Sequence, residues 1–284
     1  MIGFAQEQDI QRLREIWKVC FGDPDSYLDF YFSRGFPLFR TVVDRKDGKI
    51  TSMLTVVPAF YKTGGKYFEA AYLYAVGTAP EYRGKGIATR LLSETHEILR
   101  KEGVKFTALF PAESSLYGFY EKVGYQTAFT VNEVRLLRTD VKKAPSVSVR
   151  FCEKKMFLRE SACFLERLSP VLGFQEKSLE YFYDEVLATE GQILWVDSET
   201  LQGYAVCYKI KGQAVLKETS LTRSQLEICG NTIMNFLGTE SLFARTPTVS
   251  NDTAVRHGML CTLDKELEGL VSKERSGYMN LILD

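Results

Sequence analysis

The sequence predicts an α/β protein with a mixed, α+β type of sheet, arranged as two domains along 284 residues. Two observations support this fold class. In the first half, strand-like stretches separated by glycine turns lead into an amphipathic helix and a further strand. In the second half, a similar order of strand, helix and strand returns. A chain of this length accommodates two domains, because single domains commonly span about 100–200 residues.

The chain is predicted to begin with a short strand followed by two helices. The second helix is expected over 23–32, with Asp23 as its N-cap and Pro24 at the first helical position. The first helix is predicted from apolar residues that recur at the spacing of one helical face: Ile10, Leu13, Ile16, Trp17 and Cys20.

Three strand-like stretches follow at 38–44, 49–61 and 66–78. The pairs Asp47-Gly48 and Gly64-Gly65 separate them, and both pairs are typical of hairpin turns. Turns this short join neighbouring strands that run in opposite directions. The sequence therefore predicts an antiparallel meander.

A strand–helix–strand unit comes next, with a strand at 70–78, a helix at 86–101 and a strand at 105–110. This order predicts a parallel strand pair joined by a helical crossover. Gly103 stands where a glycine commonly ends a helix. The helix residues predicted to face inward are Ala88, Leu91, Leu92, Thr95, Ile98 and Leu99.

The polar segment 139–148 contains Pro145 and lacks apolar periodicity. It predicts a boundary between a first domain at 1–140 and a second domain at 148–284.

The second domain repeats the element order of the first. A strand at 213–221, a helix at 224–237 and a strand at 242–245 correspond to the first-half crossover unit. After a short helical piece, Gly258-Met259 matches Gly124-Tyr125. This order indicates a diverged duplication, although two unrelated α/β domains could also share it.

Composition and charge exclude several function classes. Lys and Arg total 36, as do Asp and Glu, so no basic field points to nucleic acid. No run of about 18 apolar residues predicts a transmembrane helix, and the start does not resemble a signal peptide. We therefore expect a cytoplasmic protein without a membrane partner. Six dispersed cysteines and two histidines form no metal-ligand spacing, so no metal is predicted.

The segment with the clearest chemistry lies where the strand at 70–78 runs into the following helix. Glycines there let the backbone approach a ligand, and a helix start favours an anion. Two cations add positive charge, so the segment suits a pyrophosphate. It matches neither a Walker A loop nor a GxGxxG turn. The residues are Arg83, Gly84, Lys85, Gly86, Ile87 and Ala88.

These six residues resemble the (Arg/Gln)-x-x-Gly-x-(Gly/Ala) motif of the GNAT N-acetyltransferase superfamily. A later segment at 119–125, which reads Phe-Tyr-Glu-Lys-Val-Gly-Tyr, resembles that superfamily's aromatic-Tyr-Glu-Lys-x-Gly-aromatic run. The two lie in the expected order and about 30 residues apart, a normal span for one crossover. The resemblance covers 1–137 by these signatures and the rest of the chain by topology alone.

The resemblance implies that acetyl-CoA lies between two splayed parallel strands. Val76, Gly77 and Thr78 would offer backbone groups to the pantetheine arm. Residues 83–88 would hold the pyrophosphate, and Ser115 would contact the cofactor near the start of the next helix. An amine would then attack the thioester directly.

Tyr120 matches the tyrosine that protonates the departing thiolate in many members of the superfamily. The alternative is that Tyr120 is a core aromatic residue, and Tyr117 could line the acyl pocket. The general base is less well defined, because many relatives use a glutamate on the strand before the loop. Here Glu69 comes early on that strand, so a water relay is an equal alternative.

The second copy carries neither signature. The stretch at 220–225 has no glycine, and Ala254 stands where the first copy has Tyr120. The second copy is therefore predicted to be degenerate, without productive acetyl-CoA binding, and to supply a substrate wall or an extended sheet.

A tandem arrangement with a degenerate second copy resembles the enhanced-intracellular-survival family of bacterial acetyltransferases. That resemblance implies that aminoglycosides or protein lysines are conceivable acceptors. Members often carry a third, sterol-carrier-like domain and place their C-terminal carboxylate in the active site. This sequence ends at Asp284, so a third domain is not expected and we do not assign the base role to that carboxylate.

The sequence thus predicts an N-acetyltransferase that moves an acetyl group from acetyl-CoA to a primary amine of a small molecule or a protein lysine. The alternative is a non-catalytic acyl-CoA-binding or sensor protein. Residues 20–40 are rich in aromatic side chains and could form an acceptor wall, a core or a dimer surface. Homo-oligomer formation is left open. The aromatic residues are Phe21, Tyr27, Phe30, Tyr31, Phe32 and Phe36.

Overall fold

A computed structural model describes residues 1–140, 146–248, 254–271 and 276–279. The chain forms two compact units. The first unit combines Met1–Ala128 with the described residues of Gly258–Glu274. The second unit combines Phe129–His257 with the described residues that follow position 275. The sequence predicts domains at 1–140 and 148–284. The compact units do not follow this division, because each unit contains residues from both predicted domains. The division therefore remains a proposal about two copies along the chain.

The described residues form fourteen strands and eight α-helices. In chain order the described strands are β1 Ile2–Phe4, β2 Arg40–Lys46, β3 Lys49–Thr63, β4 Lys66–Thr78, β5 Phe106–Leu109, β6 Gln126–Leu137, β7 Ser148–Phe151, β8 Val171–Phe174, β9 Gln192–Asp197, β10 Gln202–Ile210, β11 Gln213–Thr219, β12 Ser241–Pro247, β13 Ala254–Thr262 and β14 Tyr278–Met279. The described α-helices are α1 Ile10–Phe21, α2 Asp25–Phe30, α3 Ile87–Lys101, α4 Tyr117–Glu121, α5 Lys154–Glu166, α6 Glu176–Ala188, α7 Arg223–Leu237 and α8 Glu268–Val271.

The first unit is organised around the sheet order β1-β2-β3-β4-β5. The first four strands pair antiparallel, and β4 pairs parallel with β5. Gly48 and Gly65 take left-handed backbone angles at the two hairpin turns, with φ of 77° and 72°. Both the antiparallel meander and the parallel crossover pair predicted from the sequence are confirmed. The last residues of β13 pair antiparallel with β5 and complete this unit.

Helices α1 and α3 each bury the apolar stripe that their sequences contain. Leu13, Ile16 and Trp17 of α1 are at most 2% exposed. In α3, Leu91 and Leu92 are fully buried, whereas Ala88 and Ile98, also predicted inward, are only half-buried. Burying a leucine side chain contributes about 1.5–3 kcal/mol, so these few residues fix both helices against the sheet.

In the second unit, β7, β9, β10 and β11 are successive neighbours in the sheet. The β11–β12 pair is parallel, and β12 pairs antiparallel with β6. Helix α7 covers this sheet with Leu226, Cys229 and Ile233, all fully buried. A separate parallel pair joins β14 to β8.

One local prediction is wrong. Helix α2 begins at Asp25 with Pro24 as its N-cap, one residue later than predicted. Asp23 is not the cap, because its carboxylate accepts a 2.7 Å hydrogen bond from Trp17 Nε1 instead. A second prediction, the short helical piece between Pro247 and Gly258, falls mainly on 249–253, which lie outside the described residues, and Ala254–His257 belong to strand β13.

No helix in the described part of the chain is long and apolar enough to cross a membrane.

Candidate active site

The glycine-rich segment forms an open turn between β4 and α3. Gly84 and Gly86 have φ of 70° and 71°, in the region that side-chain-bearing residues rarely adopt. A Cβ built on either glycine meets no atom within 4 Å. Glycine is therefore required by backbone conformation, and the space above the turn is free for a ligand.

Helix α3 starts at Ile87 with Gly86 as its N-cap, and no side chain caps it. The first N–H groups of any helix lack intrahelical partners, and the helix dipole places partial positive charge there. An uncapped start of a 15-residue helix therefore presents donors and positive potential to an anion.

Two exposed cations border this turn. Arg83 Nε donates to the Thr78 carbonyl at 3.0 Å, and Lys85 Nζ donates to the Glu81 carbonyl at 2.8 Å. These bonds anchor both side chains on backbone oxygens beside the helix start. Four of the predicted phosphate-binding residues, 83–86, are thus exposed side by side, whereas Ile87 is buried and Ala88 is half-buried.

Strand β4 carries a bulge just before the turn. Met53 pairs with Gly77, whereas Thr55 pairs with Tyr74, so β4 contains one extra residue between these pairs. Ala75 occupies the bulge with a left-handed φ of 52°. The bulge escaped sequence analysis, because no glycine or proline marks it.

The bulge changes which face of β4 each later side chain occupies. Leu73 packs in the cluster beneath α3, and Val76 also packs against that cluster, three residues later. Gly77 faces the other side, where an added Cβ would lie 3.3 Å from Cys20 Sγ. Pairing with β5 ends at Tyr72. The splayed strand pair that the resemblance implies would begin beyond that point.

Tyr120 lies on α4 and is 7% exposed. It shares one apolar cluster with Tyr117, and Val76 packs against the same cluster. Burial raises the pKa of Tyr120 to about 12, and no hydrogen bond from a described residue contributes to that shift. The phenol is therefore protonated at neutral pH, as an ordinary tyrosine already is, so this shift does not by itself distinguish a general acid from a core residue.

Ser115 and Glu69, two other residues singled out by sequence, differ in position. Ser115 is exposed on a short 3-10 turn after β5, and its hydroxyl donates to Glu113 at 3.2 Å. Glu69 is exposed near the beginning of β4, eight positions before Gly77. At about 3.3 Å per strand residue, that separation is on the order of 25 Å. Asp284 lies outside the described residues.

Aromatic residues of α1, α2 and the following π-helical turn Tyr31–Gly35 gather beside Tyr74. Tyr31 and Phe32 are buried, so these two belong to the core. Tyr27 is half-buried, and its hydroxyl lies 2.9 Å from that of Tyr74. The aromatic segment therefore divides into a core part and a part that reaches the surface.

The second copy keeps the strand geometry but not the open turn. Val206 pairs with Glu218 and Cys207 with Leu216, so β11 also carries one extra residue. Helix α7 is instead capped by Thr222 and Gln225, which form a reciprocal capping box. Its first donors are thus partly satisfied within the protein.

No cluster of three or more potential metal ligands occurs among the described residues.

The chain is similar to known acetyltransferases in sequence and to known acyltransferases in fold. Residues 2–128 match the family model described as an acetyltransferase (GNAT) domain. An "Acetyltransferase" of Yersinia pestis (strain Pestoides F) is 25% identical over 137 residues, covering 46% of this chain and 90% of that protein.

Two solved structures share the fold across most of the chain. A probable N-acyltransferase from Enterococcus faecalis V583 aligns with a TM-score of 0.73 and 17% identity, covering 93% of this chain and 72% of the other. Eis1 from Mycobacterium abscessus aligns with a TM-score of 0.68 and 11% identity, covering 93% and 74%.

The fold, the open helix start and the sequence match together define an acyltransferase. More specifically, residues 2–128 form a GNAT acetyltransferase domain. Over 93% of its length the chain shares the fold of these two solved structures, and the mixed α/β fold class predicted from the sequence is confirmed.

Proposed function

We propose that this protein transfers an acetyl group from acetyl-CoA to a primary amine of an acceptor. The observation that carries the proposal is the uncapped start of α3, which follows a bulged strand and an open turn with two left-handed glycines. Acetyl-CoA would supply an activated thioester, and its pyrophosphate matches the donors and positive potential at this helix start.

Three groups of residues would bind the cofactor. The backbone of Val76, Gly77 and Thr78 would face the pantetheine arm, because β4 has left β5 by this point. Residues 83–88 would hold the pyrophosphate with backbone donors and the two cations. Ser115 would lie near the cofactor after β5.

The reaction needs one new bond and one broken bond. The neutral amine forms a C–N bond with the acetyl carbon while the C–S bond breaks and the sulfur takes the electron pair. Tyr120 would donate its proton to that sulfur, for which its buried, protonated phenol is suited. The amine proton would leave through water, since Glu69 lies at the far end of β4.

The acceptor would be a small-molecule amine or a protein lysine. The half-buried Tyr27 and Tyr74 hydroxyls, beside the aromatic cluster of α1, would contribute to its wall. A non-catalytic acyl-CoA-binding protein is the alternative. Such a protein would bind acetyl-CoA but would not depend on Tyr120.

Calorimetric titration with acetyl-CoA tests the cofactor site. The variant Gly86→Glu places bulk and negative charge at the α3 start, so we expect its binding to be lost. Gly103→Glu is the matched control, because Gly103 is also left-handed, with φ of 91°, and lies beyond the other end of α3. Wild type and the control should bind with similar affinity.

Absence of binding by the wild type would reject the acetyl-CoA proposal. Equal loss in both variants would mean that the glutamate acts through general destabilisation. If binding is confirmed, a panel containing a polyamine, an aminoglycoside and a lysine peptide would distinguish an enzyme from a binding protein.

A further inference from the structure

A hydrogen-bonded group lies directly behind Tyr120. Tyr125 follows the left-handed Gly124 and is 2% exposed. Its hydroxyl lies 2.9 Å from His96 Nε2 on α3 and 2.9 Å from Thr107 Oγ1 on β5. One phenol thus connects a helix, a strand and the segment that follows α4.

Tyr125 in turn contacts Tyr120. Their rings meet edge to face, with centroids 5.9 Å apart and an interplanar angle of 74°. Phe119 packs against Tyr120 from another side, at 5.0 Å and 68°. The Tyr125 N–H also donates to the Tyr120 carbonyl at 3.2 Å. Tyr120 is therefore held by packing, while its neighbour Tyr125 is held by directional bonds.

His96 also lines a cavity of about 670 Å³ in the first unit. Burial lowers the pKa of His96 to about 4, so its ring is neutral at physiological pH. The ionisable groups that share this cavity with His96 come from α3, the residue before β5, the end of β13 and the segment after it: Glu97, Arg100, Lys105, Cys261, Asp264, Lys265 and Glu268.

A structural role alone does not require this polar arrangement. A phenylalanine at position 125 would fill the same space against Tyr120, and a valine would replace Thr107 with similar volume. Burying three polar side chains is favourable only when they satisfy one another, and such networks fix a single geometry more strictly than apolar packing. Placement within a fraction of an ångström matters most for groups that take part in proton transfer.

We propose that His96, Thr107 and Tyr125 are positioning residues that hold the Tyr120 ring where its hydroxyl can protonate the departing thiolate. The proposal rests on the acetyl transfer described above. It assigns no proton to the network itself, which acts only through the orientation of Tyr120.

Tyr125→Phe and Thr107→Val test the network by removing one hydroxyl each. We expect kcat to fall about tenfold in both, with the KM for acetyl-CoA unchanged. Thr107→Ser should restore most of the rate. Thr95→Val is the matched control, because Thr95 is also fully buried but its hydroxyl donates to the Leu91 carbonyl within α3. The assay uses acetyl-CoA with the fastest amine from the acceptor panel.

A double-mutant cycle separates positioning from general destabilisation. In a Tyr120→Phe background, Tyr125→Phe should cause no further loss of kcat, because the group being positioned is already gone. Independent, multiplicative losses would overturn the proposal. So would wild-type kcat in both Tyr125→Phe and Thr107→Val while Tyr120→Phe is slow, and in that case the proposed function would stand.

A spectroscopic measurement tests the placement of the Tyr120 ring directly, without an assay of turnover. Protein containing 3-fluorotyrosine gives one ¹⁹F resonance for each tyrosine, and Tyr120→Phe identifies that of Tyr120. Thr107→Val should shift or broaden this resonance, and Thr95→Val should not. An unchanged resonance would overturn the positioning role without reference to turnover. Unchanged kcat in Tyr120→Phe would instead remove the acid assignment and this inference together.

Discussion

Helices α3 and α7 occupy equivalent places in the two copies, and both contain 15 residues. Each follows a strand with a one-residue bulge in its pairing. They differ at their first turn, where α3 begins after the left-handed Gly86 and α7 begins after Thr222. The two helices thus share a scaffold, and under the proposed function the chemistry of the helix start decides which of them binds an anion.

In α7 the Thr222 side chain accepts from the Gln225 N–H at 3.4 Å, and Gln225 Oε1 accepts from the Thr222 N–H at 2.9 Å. These bonds stabilise the helix but use donors that a phosphate would need. In α3 the same donors are left to a ligand. Stability and binding are therefore alternative uses of the same backbone groups.

The largest expected effect concerns Tyr120, the proposed acid, in whose place the second copy has Ala254. Tyr120→Phe should lower kcat by about 100-fold or more, since positioned acids commonly contribute at least that much. Affinity for acetyl-CoA, measured by calorimetry, should stay level because the ring is retained. Ala254→Tyr in the second copy should change neither value. Unchanged turnover in Tyr120→Phe would contradict the assignment.

A second prediction concerns how the free energy of unfolding depends on pH through His96. Helix α7 contains no histidine. The folded pKa of His96, about 4, is below the ordinary value of 6.5. Its neutral ring therefore favours folding above about pH 6.5, and this stabilisation is lost as pH falls toward 4. The loss approaches about 3 kcal/mol.

Urea unfolding at several pH values measures this loss. His96→Gln should lose less stability than wild type between pH 6.5 and 4, whereas Thr95→Val should follow the wild-type slope. Parallel curves for wild type and His96→Gln would show that the histidine does not titrate as proposed.

Removing the positive charges of the turn before α3 should have a smaller effect, which is on acetyl-CoA affinity. The double variant Arg83→Gln, Lys85→Gln should weaken acetyl-CoA binding about tenfold and reduce its dependence on salt, because two cations beside the phosphates are removed. Arg100→Gln with Lys101→Gln removes two cations from the last turn of the same helix. Calorimetry at low and high salt should show a normal affinity for this control. Equal weakening in both pairs would indicate a general charge effect.

The smallest effect is expected in the second copy. Thr222→Ala removes the side-chain cap of α7 and should lower the free energy of unfolding by about 1 kcal/mol, while Thr222→Ser should preserve it. Acetyl-CoA affinity should not change in either variant. A change in affinity would show that the second copy takes part in cofactor binding and would weaken the comparison.

Patterns with a local physical cause were predictable from the sequence. Gly48 and Gly65 mark hairpins because only glycine takes their backbone angles without strain, and Gly84 and Gly86 mark the ligand turn for the same reason. The apolar stripe of α3 follows from helical periodicity. Tyr120 was found by resemblance, and its burial agrees with either an acid or a core residue.

Features that depend on distant contacts were not predictable. Ala75 has a left-handed φ without any residue type that favours it, so the bulge is imposed by pairing with β3. The order of elements along the sequence does not predict that residues 258–262 belong to the first unit and residues 129–137 to the second. The anchoring of Tyr125 by His96 likewise joins residues 29 positions apart.

Ala75 sets the phase of the end of β4. A regular strand alternates the directions of its side chains and of its N–H and C=O groups, and a bulged residue steps out of that alternation. If Ala75 were instead a regular extended residue, Val76 would point toward Cys20 and Gly77 toward α3, although an added Cβ on the Cys20 side would lie only 3.3 Å from that sulfur. The left-handed conformation of one alanine thus determines which side chains and backbone groups of Val76–Thr78 lie on each face of β4.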